Sequence, residues 1–157
     1  MDGLQNFEGD ALLFETVDGG ELFIENGLFI SDKKFSSAVY LSLFGGNSDD
    51  SGKVKNNNEW WGNKLEGIAE NEKLVSRFQN IIYGLPMTVK NIREAEAAAA
   101  LDLKWFIIEK IADEINVNGR ATGKNEFNLM VEIKKDTITI FENSYALQWG
   151  VNNGDTL

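Results

Sequence analysis

The stretch TVKNIREAEAAAALDLKWFIIEKIADEI, Thr88 to Ile115, decides the fold because it alone carries a long, unambiguous helical period. On a helical wheel Asp102, Glu109 and Asp113 share one narrow stripe. Leu101, Leu103, Trp105, Phe106, Ile107, Ile108, Ile111, Ala112 and Ile115 occupy nearly everything else in the second half. A helix apolar around most of its girth is expected to be enclosed rather than to lie on a surface. The run Ala97-Ala98-Ala99-Ala100 favours the helix and allows close approach of neighbouring backbone. Thr88 or Asn91 is the expected N-cap, and Leu85-Pro86-Met87 the turn leading in. The residues just upstream, Glu72 to Tyr83, place Leu74, Val75, Phe78, Ile81 and Ile82 at helical spacing, so two adjacent helices should pack on each other.

Beyond Ile115 the period changes to two. Phe127, Leu129, Val131 and Ile133 alternate with Asn128, Met130, Glu132 and Lys134, flanked by Gly123-Lys124-Asn125 and Lys135-Asp136 turns. This predicts a half-exposed antiparallel meander of three strands whose apolar face the helices cover. Tyr145 to Gly150 reads as a further, fourth strand at the sheet edge. Upstream, Ala11–Val17, Asp18-Gly19-Gly20 and Glu21–Glu25 read as strand, turn, strand, with a second tight turn at Asn26-Gly27 before Leu28–Ile30. Asp32 as cap and Gly45-Gly46 as stop suit a short helix between them. The expected architecture is a single α+β domain over 1–157: an antiparallel sheet packed on one long buried helix and shorter helices, with 1–9 and 151–157 as loose ends.

With 157 residues, 43% of them hydrophobic, the chain has material for one core. No cysteine or histidine is present, which removes disulfides, thiolate zinc sites and every imidazole or thiol catalytic scheme. The formal charge of −10 repels nucleic acid and anionic lipid. No apolar run reaches the roughly 20 residues of a membrane helix, and the acidic N-terminus lacks signal-peptide order, so synthesis and residence in a cytoplasm are expected. In the polar loop from Gly45 to Asn58, Asn47, Asp49, Ser51, Gly52 and Val54 lie on the calcium-loop template, but Asn47 and Asn58 stand where Asp and Glu are needed. No metal and no cofactor are expected. Carboxylate pairs such as Glu94/Glu96 and Asp113/Glu114 are ordinary on a helix, and no substrate cleft is readable.

Two adjacent tryptophans, Trp60-Trp61, either cap the core or anchor a partner. They belong to an order of segments that carries a resemblance. Ala38–Phe44, a polar loop, Trp60-Trp61-Gly62, Ser76-Arg77-Phe78, Glu94-Ala95-Glu96 through Leu103–Phe106, and Ile115-Asn116-Val117 with closing strands follow one another in that sequence. Over residues 9 to 150 this order resembles the small baseplate proteins of Mu-like contractile-tailed bacteriophages, a group similar to the wedge proteins that initiate the tail sheath. The chain departs from that pattern at Gly45-Gly46-Asn47 and at Asn58-Glu59. The resemblance implies a non-enzymatic structural part of the virion tail baseplate, assembled in the host cytoplasm, whose partners are other wedge proteins and the sheath protein. It further implies closing strands that engage the first sheath ring, and makes Trp60, Trp61, Ile138, Ile140, Tyr145, Leu147 and Trp149 the candidate interface residues. Truncation after Asp136 is then expected to leave a folded core and abolish sheath assembly. The competing readings are a bacterial protein-binding adaptor and a lysozyme-like wall hydrolase.

Overall fold

A computed structural model describes residues 10–11, 13–16, 19–22, 24–25, 28–29, 31–32, 35–45, 65–67 and 73–150. The architecture is α+β, as the residue pattern leads one to expect, and the chain divides into two compact units, Met1–Tyr40 and Leu41–Leu157.

The first unit is built of short antiparallel ladders. β1 (Asp10–Ala11) pairs with β6 (Ser31–Asp32), β2 (Leu13–Thr16) with β3 (Gly19–Leu22), and β4 (Ile24–Glu25) with β5 (Leu28–Phe29). The expected hairpins are present, with Gly19 and Gly20 inside the ladder opposite Thr16 and Glu15 rather than in the turn. Asp32 pairs with Asp10 in the first ladder, and α1 (Ser36–Phe44) begins four residues later, so Asp32 is not at its N-cap position. That helix closes on a bond from Gly45 N–H to Leu41 O, where the glycine stop was expected.

In the second unit α2 (Arg77–Gly84) starts several residues after the apolar pattern does. Its N-cap, Ser76, turns its hydroxyl away from the helix and donates to Ser42 O at 2.9 Å. The vacant cap is filled from elsewhere: Asp102 Oδ2 accepts from Phe78 N–H at 2.9 Å, and Oδ1 from the Arg77 guanidinium at 3.1 Å. At the other end Trp149 Nε1 donates to Leu85 O (2.6 Å) and Gly150 N–H to Ile82 O (2.7 Å). An orphan donor in the first turn, Phe78 N–H, and a carbonyl in the last, Ile82 O, are thus met by residues remote in sequence.

The long helix is shorter than its period implied. α3 (Val89–Asp102) is capped by Thr88, whose Oγ1 accepts from Asn91 N–H at 3.2 Å, while Asn91 Nδ2 reaches Pro86 O at 2.7 Å. At Leu103-Lys104 the hydrogen bonding tightens by one residue, and a single turn, α4 (Trp105–Ile108), follows. Bonds from Ile111 N–H to Phe106 O (2.9 Å) and Lys110 N–H to Ile107 O (3.0 Å) close it as a Schellman motif, with Lys110 at φ 59° where glycine is usual. The expected helix to Ile115 is therefore corrected: strand β7 already begins at Glu114. Enclosure is corrected too. α3 buries Ala95, Ala98, Ala99 and Asp102, a narrow i, i+3, i+4, i+7 stripe, while Leu101 and Ile108 remain 53% and 65% exposed. The wheel had superposed two helical segments and a turn that do not share one axis. Replacing Lys110 with glycine relieves the left-handed strain and should stabilise the protein by about 1 kcal/mol, read from chemical denaturation.

β7 (Glu114–Gly123), β8 (Glu126–Lys135) and β9 (Ile138–Gln148) form an antiparallel sheet in the order β7-β8-β9. The segment read as a fourth strand is the second half of β9. The strand is continuous through Glu142-Asn143-Ser144, which lies in register against Glu132, Val131 and Met130. Phe127, Leu129, Val131 and Ile133 face inward and are buried together with Phe78, Ile82, Leu103, Phe106, Phe141 and Trp149. α3 approaches β7 over its alanines. Gly119 leaves room chiefly for the Phe127 ring of the neighbouring strand: a Cβ there would stand 2.5 Å from Phe127 Cζ and 3.2 Å from Glu96 Cγ. Gly119→Ala should accordingly cost about 1–3 kcal/mol of stability in a urea titration, since the buried Phe127 ring must shift to admit one methyl group.

Candidate partner-strand interface

The two borders of the sheet differ. On β7, Gly119 N–H donates to Glu96 Oε1 at 2.7 Å, so a carboxylate from α3 occupies a border donor near the strand's middle. Among the described residues no helix side chain does this for β9. Trp149 N–H bonds to Asn125 O at 2.7 Å, on the β8 side, which fixes the alternation along the end of β9. The backbone groups of Tyr145 and Leu147 then point to β8, and those of Glu142, Ser144, Ala146 and Gln148 point to the open border. Ser144 N–H is met locally by Asn143 Oδ1 at 2.8 Å, a small plug on a row that no strand among the described residues pairs.

The faces differ as well. Towards the core β9 presents Phe141, buried, and Tyr145 and Leu147, half-buried, with the Tyr145 ring edge-on to Phe44 at 5.6 Å between centroids. The other face is polar. Glu132 Oε2 takes a hydrogen bond from Asn116 Nδ2 (3.2 Å) and pairs with Lys134 Nζ (3.0 Å), and its Oε1 accepts from Thr139 (3.0 Å). The Lys134 bond first, then those of Asn116 and Thr139, hold the Glu132 carboxyl below its ordinary range. Asp113 is likewise held low, by Asp136 N–H (2.9 Å) and then by Lys135 Nζ (2.8 Å), and so ties the β8–β9 turn to the start of β7.

Of the expected interface residues, Ile138 is 68% exposed at the start of β9. Ile140 is the extra residue of a bulge, because Ile133 opposes Phe141 while Lys134 opposes Thr139. Tyr145 and Leu147 sit beside the open border. Trp149 is a correction. It is 2% exposed, stands edge-on to Phe127 at 5.0 Å, and donates its indole N–H to Leu85 O, so it belongs to the core. Strand alternation puts Trp149 on the same face as Tyr145 and Leu147, but only it lies where α2 closes over the sheet. Trp60 and Trp61, and the loop carrying Asn47 to Asn58, lie outside the described residues.

The carboxylates weighed for acid–base chemistry have other occupations: Glu96 holds Gly119, Glu94 stands 3.6 Å from Lys90, and Asp113 binds the turn. Sequence reasoning missed Asp102, whose side chain is fully buried. Burial pushes its carboxyl up to about 7, against the lowering effect of the Phe78 and Arg77 bonds. It joins the end of α3 to the start of α2 beside a second buried link, in which Ser42 Oγ accepts from Trp105 Nε1 at 3.0 Å. No described helix is long and apolar enough to cross a membrane. Comparisons with protein-family models, with curated proteins and with solved structures return no match for this chain.

Proposed function

We propose that the chain is a non-enzymatic structural component of a contractile tail baseplate, joining the wedge to the first sheath ring through its C-terminal strands. The observation that carries this reading is that no described strand pairs with the outer border of β9, while the sheet behind it has a buried apolar face. A strand added there is held by a row of backbone hydrogen bonds, and the layer of α2 and α3 beneath β8 resists bending when the row is pulled. The exposed apolar residues Leu101, Ile107 and Ile108, on α3 and α4, offer a further surface for a wedge subunit. The order of segments that resembles the Mu-like baseplate proteins supports the same assignment.

Truncation after Asp136 is a poor test, because it removes Phe141 and Trp149 from the core and both distal bonds from α2. Ala146→Pro is better. The Ala146 N–H faces the open border, so proline removes no bond to β8 yet interrupts any incoming strand. The variant should melt within a few degrees of the parent protein but yield tails lacking sheath when it replaces the parent gene. Antibody labelling of intact particles should place the chain at the baseplate end. Sheathed tails of normal length from the proline variant, or particles without label, would refute the proposal.

A further inference from the structure

Asn118-Gly119 in β7 is a dipeptide prone to deamidation, because glycine has no Cβ to hinder attack by its own nitrogen on the preceding side-chain amide. The reaction begins when Gly119 N gives up its proton to base. That nitrogen then bonds to Asn118 Cγ, ammonia departs, and water opens the resulting succinimide to aspartate or isoaspartate. In β7 two restraints oppose these steps. Gly119 N–H donates to Glu96 Oε1 at 2.7 Å. A carboxylate accepting from the protonated nitrogen makes that proton harder to remove. The same bond marks the Gly119 N–H as facing the outer border, so strand alternation turns the backbone groups of Asn118 towards Met130, its partner on β8. Ring closure must rotate the bond between Asn118 Cα and its carbonyl carbon, which this pairing fixes in the extended range. The Asn118 side chain is exposed, on the face where Asn116 reaches Glu132, so water has access to it. Glu96 is half-buried on α3, and its hold on Gly119 lasts only while α3 stays seated on β7.

We infer that Asn118 is a latent self-deamidation site, kept intact by the bond from Gly119 N–H to Glu96, and that its conversion records the time α3 spends away from β7. Glu96 acts as a guard by holding the proton of the attacking nitrogen. The isoaspartate product routes the main chain through the former side chain, which adds one carbon to β7 and displaces Gly119 and the residues after it from their register with β8. Conversion is therefore lasting damage to the sheet rather than a neutral change of charge.

The test incubates the full chain in mildly alkaline buffer at body temperature and follows Asn118 by peptide mapping with isoaspartate detection, which separates it from Asn26-Gly27 and Asn153-Gly154. A synthetic peptide of residues 114–123 serves as the unstructured reference. Asn118 in the parent should convert at least about tenfold more slowly than in the peptide. Glu96→Ala should convert at least about fivefold faster than the parent, and Glu96→Gln, which still offers an oxygen without the charge, should fall between them. Both replacements suit a helix, so α3 should form in each. Trp105→Phe, which deletes the bond to Ser42 Oγ and leaves Glu96 alone, should stay close to the parent rate. Parent conversion as fast as the peptide's, or Glu96→Ala no faster than the parent, would overturn the inference. Equal acceleration by Trp105→Phe would also overturn it, by making general unfolding the cause. Should Glu96→Ala not fold, hydrogen exchange at the Gly119 amide of the parent decides. Exchange slowed at least about tenfold relative to the peptide supports the guard, and unprotected exchange overturns it.

Discussion

Replacing Trp149 with alanine should lower the free energy of unfolding by about 3–5 kcal/mol, a large share of the roughly 5–15 kcal/mol that a domain possesses. Three losses combine. The ring leaves a void against Phe127, where the two aromatics now meet edge-on at 5.0 Å. Leu85 O loses its indole donor and is left poorly satisfied. The turn that delivers Gly150 N–H to Ile82 O loses its anchor, so the end of α2 frays. Trp149→Phe separates these contributions, since it retains a ring but deletes the N–H, and should cost about 1–3 kcal/mol. Urea unfolding followed by circular dichroism measures both. A loss below 1 kcal/mol for the alanine variant would mean that the tryptophan is peripheral, as the sequence had suggested.

The second large effect is a dependence on pH centred on Asp102. Its carboxyl is raised from 3.8 to about 7 by burial, so the folded state favours the neutral acid more than the unfolded chain does. A raised folded value means that this contribution is fully present below about pH 4, declines as pH rises, and is lost above about pH 7. At 1.36 kcal/mol per unit the decline amounts to as much as about 4 kcal/mol. Asp113 and Glu132 act in the opposite sense, since their lowered values contribute stability that disappears as pH falls below the ordinary carboxylate range. Comparing the parent with Asp102→Asn isolates the buried group. The parent should weaken between about pH 4 and pH 7 and the asparagine variant should vary much less, because the amide has no charge to bury. Parallel curves for the two proteins would show that Asp102 keeps an ordinary acidity.

Much of the C-terminal sheet was legible because its evidence is local. Phe127, Leu129, Val131 and Ile133 alternate without interruption, and only a strand with one buried face explains that. The helical boundaries were not legible, for an equally local reason. Lys110 adopts the left-handed conformation that glycine ordinarily announces, and Leu103-Lys104 breaks the axis without glycine or proline, so the period appears to continue where the chain does not. Asp102 was misread because a charge on a helical stripe normally faces water. Its burial depends on α2 presenting Phe78 N–H and Arg77 to it, which no window of sequence contains. The candidate interface divides in the same way. Ile138, Tyr145 and Leu147, read in two separate strands, lie on the one strand β9, but whether Trp149 lies at a border or in the interior is decided by a helix more than sixty residues away.

That helix is expected to be secured late in folding. Its first turn waits for Asp102 and its last for Trp149 and Gly150, so α2 cannot be secured while the ribosome is still making the sheet. Contacts that close such long spans slow folding relative to local ones, and the nascent chain must hold Phe78 and Ile82 unprotected until residue 150 has emerged. Chaperone dependence during synthesis, rather than low final stability, would then govern how much of this protein a cell accumulates.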